Sequence, residues 1–483
     1  MSDLHQPKYK KLSYSAFGGA PILLSLWNRF DFYLLLTQCG IVKSRGCPTW
    51  KLAFLFVVGL MSRCAACLQM VQFYERESLL QRMFGGQNIT QSVFSRFMVS
   101  AFAWQAFNIK RVAKLQEQED TMLVDDDVIA LDDTLVEHNH ARKMPFIYRL
   151  WDHCSKAYVN AMNVVVLHAV KANGLQYPLL YAIWKKNDSE SEHQSKLVLA
   201  LSLLQQVKAH TIGVAKCWVA MDSWYMAKEL YLGIEKLGFH WVSRAKSNTT
   251  LYRKVTVRGK ERVIKILPSQ LFKEAKPAFA FWRRKGIFCT RFKDIYIAID
   301  EIHKGQGYRK EPVLKPVNAV VTAYLEEDQE NESTKETFAL LISDQLEAPP
   351  EKIVQVYRKR WSIEVFFRNA KQELGMNDCH STDENHIHAH MSLLFVAETL
   401  VRFAQWQYDE KTGMKSEVTH RQVVDLLFHT RCEVRPLKDD SIQVYFDMAS
   451  QRFASFFRHF WPTRVAMLWF NPQSNWNGYP SSG

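Results

Sequence analysis

Acidic residues are the scarce charge in this chain: 49 Asp and Glu stand against 62 Lys and Arg over 483 residues, leaving a formal net charge of +13. A surplus of that sign favours a polyanionic partner and points toward nucleic acid. Long apolar runs are also lacking. The most apolar stretch, Leu52 to Met61 in KLAFLFVVGLM, is about half of the roughly 20 residues that a membrane span requires, so no membrane partner is expected. The opening MSDLHQPKYKK has no apolar h-region of a secretory signal. Nine cysteines are odd in number and scattered, which excludes a disulfide framework and reads as reduced thiols in a cytoplasm. The one close pair, Cys64 and Cys67 in RCAAC, has no second pair at finger-like spacing, so it reads as packing and not zinc. Cys379, His380, His386, His388 and His390 read as a polar helix start. No internal repeat is present.

The length allows two to four domains, or one with sizeable insertions. From about Ile22 to Gln118 the chain is rich in Leu, Phe, Met, Trp and Gln, which reads as helical with exposed basic residues. Its role is packing or a grip on DNA, and NITQSVFSRFMVSAF at Asn88 to Phe102 carries the same two readings. Val128 to Val136, Tyr158 to Val170 and Gln176 to Ile183 read as three strands in a meander. A helix over Ser195 to His210, a short strand from Cys217 to Met221, a helix over Ala227 to Leu237 and a further strand follow. Between Ser247 and about Thr337, alternating segments such as KVTVRGKERVIKI and KDIYIAID suggest a strand-rich insertion of its own. Glu326 to Glu336 reads there as a solvated loop. Thr337 to Ser343 returns to strand, and Pro349-Pro350 opens a helix. Beyond Gly375 the chain reads as mostly helical to about Trp469, with a polar tail.

The stretch VYRKRWSIEVFFRNAKQEL, Val356 to Leu374, mixes an apolar stripe with cations and two glutamates. If Pro350 to Leu374 is one helix capped by Gly375, Tyr357, Arg360, Glu364 and Lys371 fall within a sector of roughly 60°. An Arg and a Lys flanking one Glu would hold it ionised, and would suit a phosphate backbone beside a carboxylate-bound metal. The plain alternative is a helix with ordinary ion pairs. Asp132 and Asp133 lie in LDDT on the first strand; successive strand residues point to opposite faces, so at most one enters a given site. Asp222 ends its strand after CWVAM, where α/β sheets place ligands. Three acids from separate elements could converge on two divalent cations about 4 Å apart, the arrangement of in-line phosphoryl transfer. Hard carboxylates select Mg²⁺ or Mn²⁺.

Two basic stretches carry open alternatives. His138, His140, Arg142 and Lys143 in EHNHARK lie either near DNA or in a solvated turn. FWRRKG, Phe281 to Gly286, reads either as a single-strand binder or as an edge strand with its cations in water.

These residues resemble a known family, the DDE transposases of bacterial insertion sequences that carry a Tyr-Arg-Glu-Lys signature. The signature Y-x2-R-x3-E-x6-K is matched by Tyr357, Arg360, Glu364 and Lys371, with Trp361 following the Arg. The D-x-T motif of the first acid is matched by Asp132-Asp133-Thr134, favouring Asp132 with Asp133 as the alternative. The second acid resembles Asp222, and the gap to Glu364 is similar to the family's strand-rich insertion. The resemblance covers about residues 125 to 375.

It implies an α/β fold: an RNase H-like mixed sheet flanked by helices and interrupted by the insertion. With the flanks read from their composition, the division is a helical N-terminal region over 1–120, a candidate for DNA binding, core over 121–246, insertion over 247–336, core with the signature helix over 337–376, and a helical C-terminal region over 377–483. The resemblance further implies that Asp132, Asp222 and Glu364 are catalytic and bind two Mg²⁺ or Mn²⁺ ions. Arg360, Lys371, Tyr357 and Trp361 would contact DNA, as would Trp282 as an aromatic of the insertion. The substrates would be double-stranded DNA of terminal inverted repeats and of the target, gripped by a homodimer in the cytoplasm, on the nucleoid when DNA-bound. Two rivals are a nuclease of the same fold without strand transfer and a DNA-binding protein that has lost cutting.

Overall fold

A computed structural model describes residues 13–186, 194–210, 216–282, 288–303, 310–328, 333–412, 419–436, 442–446 and 467–470. A short strand, β1 (Ser13–Ser15), precedes seven helices: α1 (Ala20–Arg29), α2 (Phe32–Gln38), α3 (Thr49–Met61), α4 (Cys67–Arg76), α5 (Ser78–Met83), α6 (Gln91–Met98) and α7 (Trp104–Gln116). The apolar run noted above is α3, buried nearly all round, as a helix at the centre of a bundle must be. Among the described residues no helix is long and apolar enough to cross a membrane.

The strands that follow form where β-branched and large apolar residues run together. They are β2 (Val128–Glu137), β3 (Tyr148–Asp152), β4 (Ala157–Val170) and β5 (Gln176–Ile183), then α8 (Lys196–His210), β6 (Trp218–Met221), α9 (Lys228–Lys236) and β7 (His240–Arg244). β2 pairs antiparallel with β4, and β3 and β5 also pair antiparallel with β4. On its other side β2 runs parallel to β6, and β6 parallel to β7.

The segment between β7 and the signature helices contains β8 (Leu251–Val257), β9 (Lys260–Ile266), α10 (Pro268–Trp282), β10 (Phe288–His303), β11 (Lys310–Asp328) and β12 (Ser333–Ser343). It is strand-rich, as expected, but it is not a sheet of its own. β12 pairs antiparallel with β7, and one 11-stranded sheet runs β3-β4-β2-β6-β7-β12-β11-β10-β8-β9, with β5 beside β4. Two expectations for this segment differ from the structure. Glu326–Asp328 and Ser333–Glu336 continue the hairpin of β11 and β12, because ladder pairing outweighs their polar character. Trp282 closes a helix instead of lying in a strand; its side chain and residues 283–287 fall outside the described residues.

The signature region is α11 (Pro350–Lys359) and α12 (Trp361–Gln372), with Arg360 at the joint. The single expected helix is thus two segments, although Arg360 keeps helical angles (φ −54°, ψ −34°). Gly375 takes the left-handed conformation (φ +63°), and the next amide, of Met376, donates to Ala370 O at 2.8 Å, as a glycine stop requires.

α13 (Glu384–Thr412) and α14 (His420–Leu427) follow, and then β13 (Cys432–Pro436), β14 (Ile442–Phe446) and β15 (Met467–Phe470). The helical expectation beyond Gly375 therefore ends at α14. β13 pairs with β1, Ser13 opposite Val434, in a second sheet of order β1-β13-β14-β15. Its strand partner lies near the other end of the sequence, a pairing no local pattern discloses.

Strand alternation sorts the acids. Val128 and Ala130 belong to the face under α11 and α12, where Val128 packs with Ile353 and Val354. The partner of Ala130 across the ladder, His168, stacks on Phe366 of α12 at 5.3 Å. Asp132 follows on that face. Ile129, Leu131 and Asp133 belong to the other, where Asp133 meets Lys196 of α8.

Candidate functional site

Parallel pairing sets Leu131 of β2 against Met221, the last residue of β6, so Asp132 and Asp222 each come next after a paired position on neighbouring strands, which run about 4.8 Å apart. Asp222 leads into one turn of 3-10 helix at Ser223–Tyr225. Glu364 lies in the first turn of α12, and Arg360 sits one turn before it. Arg360 donates through Nη1 to Asp132 Oδ2 at 2.9 Å and through Nη2 to Glu364 Oε1 at 2.5 Å. Its buried Nε finds no acceptor among the described residues.

Asp132 is electrostatically crowded. Burial pushes its carboxyl up to about 7, against the pull of Arg360 and of the Asp133 amide, and the charges of Asp133 and Asp222 push it further. Any added cation would favour its charged form. Burial likewise raises the Tyr357 phenol, with Arg360 pulling back and Asp222 pushing up. The Arg360 guanidinium lies 5.7 Å from the Tyr357 ring centre. Tyr357, Arg360, Glu364, Asp132 and Asp222 therefore form one neighbourhood.

Lys371 lies further along α12. Burial lowers its ammonium, against the pull of Glu137 at the end of β2 and of Asp152 and Cys154 at the tip of the β3–β4 hairpin. Trp361, at the start of α12, is 60% exposed.

Asp133 has a separate set of partners. Oδ2 accepts from Lys196 Nζ at 2.9 Å and from Asn163 Nδ2 at 2.8 Å, and Oδ1 accepts from the Tyr225 hydroxyl at 2.8 Å. These bonds tie β2 to β4, to α8 and to the turn after Asp222.

Asp132, Asp222 and Glu364 supply the hard oxygen donors that Mg²⁺ or Mn²⁺ takes. Among the described residues, however, no three His, Cys, Asp or Glu are grouped closely enough to hold a metal ion; a guanidinium spans two of the acids instead. The cluster of Cys379 and the histidines after it is likewise no metal group. His390 Nε2 bonds Gly375 O at 3.0 Å, and His388 packs against Tyr181.

Sequence reasoning missed Arg244, which ends β7 one strand beyond Asp222 and acts on Tyr357. Its signal was available, since it closes a parallel strand as Asp222 does. Lys196, whose ammonium lies 4.1 Å from the Trp224 ring centre, gave no such signal.

Comparisons with known proteins fall on this region. A family model described as a transposase DDE domain matches residues 124–400. A 70-residue stretch is 34% identical to "Probable transposase for insertion sequence element IS5377" of Geobacillus stearothermophilus. That stretch is 14% of this chain and 18% of that protein, so the match spans under a fifth of the relative's length.

Proposed function

Because the chain belongs to the family of transposases with a DDE domain, we propose that it cleaves DNA at the ends of an insertion sequence and joins the freed 3'-hydroxyl to target DNA. The observation that carries this reading is the convergence of Asp132 and Glu364 on Arg360, with Asp222 just past the end of the strand next to Asp132. The order β5-β4-β2-β6-β7, three antiparallel strands followed by two parallel ones reached through helices, supports an RNase H-like core.

In this reading Asp132, Asp222 and Glu364 are the catalytic acids and hold two Mg²⁺ or Mn²⁺ ions. When bound, the ions supply Lewis-acid polarisation of the reacting phosphoryl group and lower the pKa of the attacking hydroxyl. The rest falls to the chain. Arg360 gives up the two carboxylates and turns its guanidinium, including the unpartnered Nε, toward a backbone phosphate. Tyr357 borders the same phosphate, and Lys371 meets the strand further along α12 as a point charge. Trp361 and Trp282 provide aromatic surface to DNA. Asp133 stays in its bonds to Lys196, Asn163 and Tyr225 and keeps the strand rigid. A homodimer brings the two element ends together.

The test uses the purified full chain with Mg²⁺ and a labelled duplex carrying the element's end. Nicked and then joined products are expected from the native protein. Glu364→Ala removes a ligand of cations that lower the barrier by several kcal/mol, so its rate should fall at least about a hundredfold. Nicking without joining would leave a nuclease of the same fold, and binding without nicking would leave a DNA-binding protein.

A further inference from the structure

Beyond the acids, β2 runs on to Glu137 and opens into the loop 138–147. The loop is held in place by backbone bonds: His138 N donates to Asn160 O at 2.8 Å, and Ala141 N donates to His138 O at 2.9 Å. Between this loop and the segment before α13 lies a cavity of about 520 Å³, lined among others by His138, His140, Arg142, Lys143 and His380. His140, Arg142, Lys143 and His380 are exposed around it. His138 is 3% exposed, and neither of its ring nitrogens has a hydrogen-bond partner among the described residues. Its ring packs edge-on against His380 at 5.1 Å.

An imidazole with two orphaned nitrogens at the wall of an open cavity requires an explanation, since buried polar groups are paired as a rule. A metal is a poor occupant, because these histidines do not form a metal group. The lining carries guanidinium, ammonium and imidazole donors, with Glu137 as an acid at its edge. Glu137 is itself one of the charges acting on Lys371, so the cavity adjoins the far end of the signature helix.

We propose that this cavity is a phosphate-binding pocket that seats a backbone phosphate of the DNA strand leaving the acids, with a His138 ring nitrogen donating to it and Arg142 and Lys143 flanking it. The assignment rests on the transposase reading. Glu137 is five residues beyond Asp132, about 17 Å along the strand, the rise of about five base pairs. The pocket therefore reads position along the strand, not base identity.

The experiment is anisotropy of a fluorescent duplex carrying the element's end, without divalent metal, over a series of salt concentrations. Replacing Arg142 and Lys143 together by Ala should make the slope of log K against log salt shallower by about 0.9 for each phosphate that is no longer neutralised. His138→Phe keeps a ring against His380 and removes the donor; about tenfold weaker binding with an unchanged slope is expected. If that variant fails to fold, the double replacement of Arg142 and Lys143 decides alone. Native affinity and slope in the variants that fold overturn the pocket. Inorganic phosphate, followed by the shift in melting temperature, is a second arm. Stabilisation of the native chain but not of His138→Phe, with DNA binding untouched in both variants, assigns the pocket to free phosphate and overturns the DNA role. A native chain that ignores the duplex sinks the transposase reading itself, whereas variants that bind as the native chain does sink only the pocket.

Discussion

Arg360 holds Asp132 and Glu364 on the same guanidinium, one carboxylate on each terminal nitrogen. The cation that bridges the pair is therefore a side chain one turn before Glu364. Metal and Arg360 should compete for the acids in free protein. Arg360→Ala is expected to bind Mn²⁺ about fivefold more tightly than the native chain in the absence of DNA, the factor for an ion pair of about 1 kcal/mol, while binding DNA more weakly. Mn²⁺ titration followed by electron paramagnetic resonance measures the first quantity; unchanged or weaker Mn²⁺ binding would sink the competition.

The two adjacent aspartates should part company when each is made neutral. Asp132→Asn removes a carboxyl already disfavoured by burial and by Asp133 and Asp222, so the melting temperature should hold or rise while nicking disappears. Asp133→Asn weakens bonds to Lys196, Asn163 and Tyr225 and should cost about 1–3 kcal/mol. Denaturant midpoints and a nicking assay on both variants decide it, and equal stability losses would refute the separation.

Three buried histidines predict acid lability. Burial lowers His168 and His390 to about 3 and His138 to about 4, with neighbouring charges as lesser causes. Each is neutral in the folded chain but takes up a proton near pH 6.5 once unfolded, so below that point the unfolded state binds more protons. Their contribution is complete above pH 6.5 and is lost as pH falls toward the folded values, at roughly 1.4 kcal/mol per pH unit for each group. Midpoints of denaturant unfolding should fall steeply from pH 6.5 to 4. A flat profile there would show that the rings are solvated.

Arg111 is a keystone of the N-terminal helices. It is fully buried and donates to Asn108 Oδ1 at 2.9 Å, to Pro178 O at 3.0 Å, to Thr399 Oγ1 at 3.1 Å and to Leu179 O. Arg111→Met strands those acceptors and should cost at least about 3 kcal/mol. Arg29→Ala, which breaks an exposed pair with Asp120, should cost under about 1 kcal/mol. Thermal unfolding of the two variants side by side provides the comparison.

Trp361 is expected to matter only to DNA. Its ring is mostly in solvent, so Trp361→Ala should change stability by less than about 0.5 kcal/mol. Removing aromatic surface should weaken binding of a duplex with an unpaired end by about fivefold or more. Filter binding and calorimetry separate the two effects.

What the sequence disclosed follows the range of the interactions. β2, β4, β5, α8, β6 and α9 lie within a residue or two of their expected limits, because each carries its own apolar period. β3 escaped notice, since YRLWD is short and is a strand only through its ladder with β4. The strands β13 to β15 escaped for the same reason at greater separation, Ser15 pairing with Cys432. At the candidate site, helical spacing put Tyr357, Arg360 and Glu364 on one face, but it could not reveal that Arg360 would lie against Asp132. Alternation along β2 restricted the two aspartates to opposite faces, and only the packing of α8 and α12 shows which neighbours each one meets.

The pairing of β1 with β13 has a consequence for biogenesis. A ribosome must deliver every residue between Ser13 and Val434 before the two can pair, so a nascent product keeps β1 unzipped until then. Closure of that small sheet therefore waits on the synthesis of all the helices and strands that lie between its two edges in the chain.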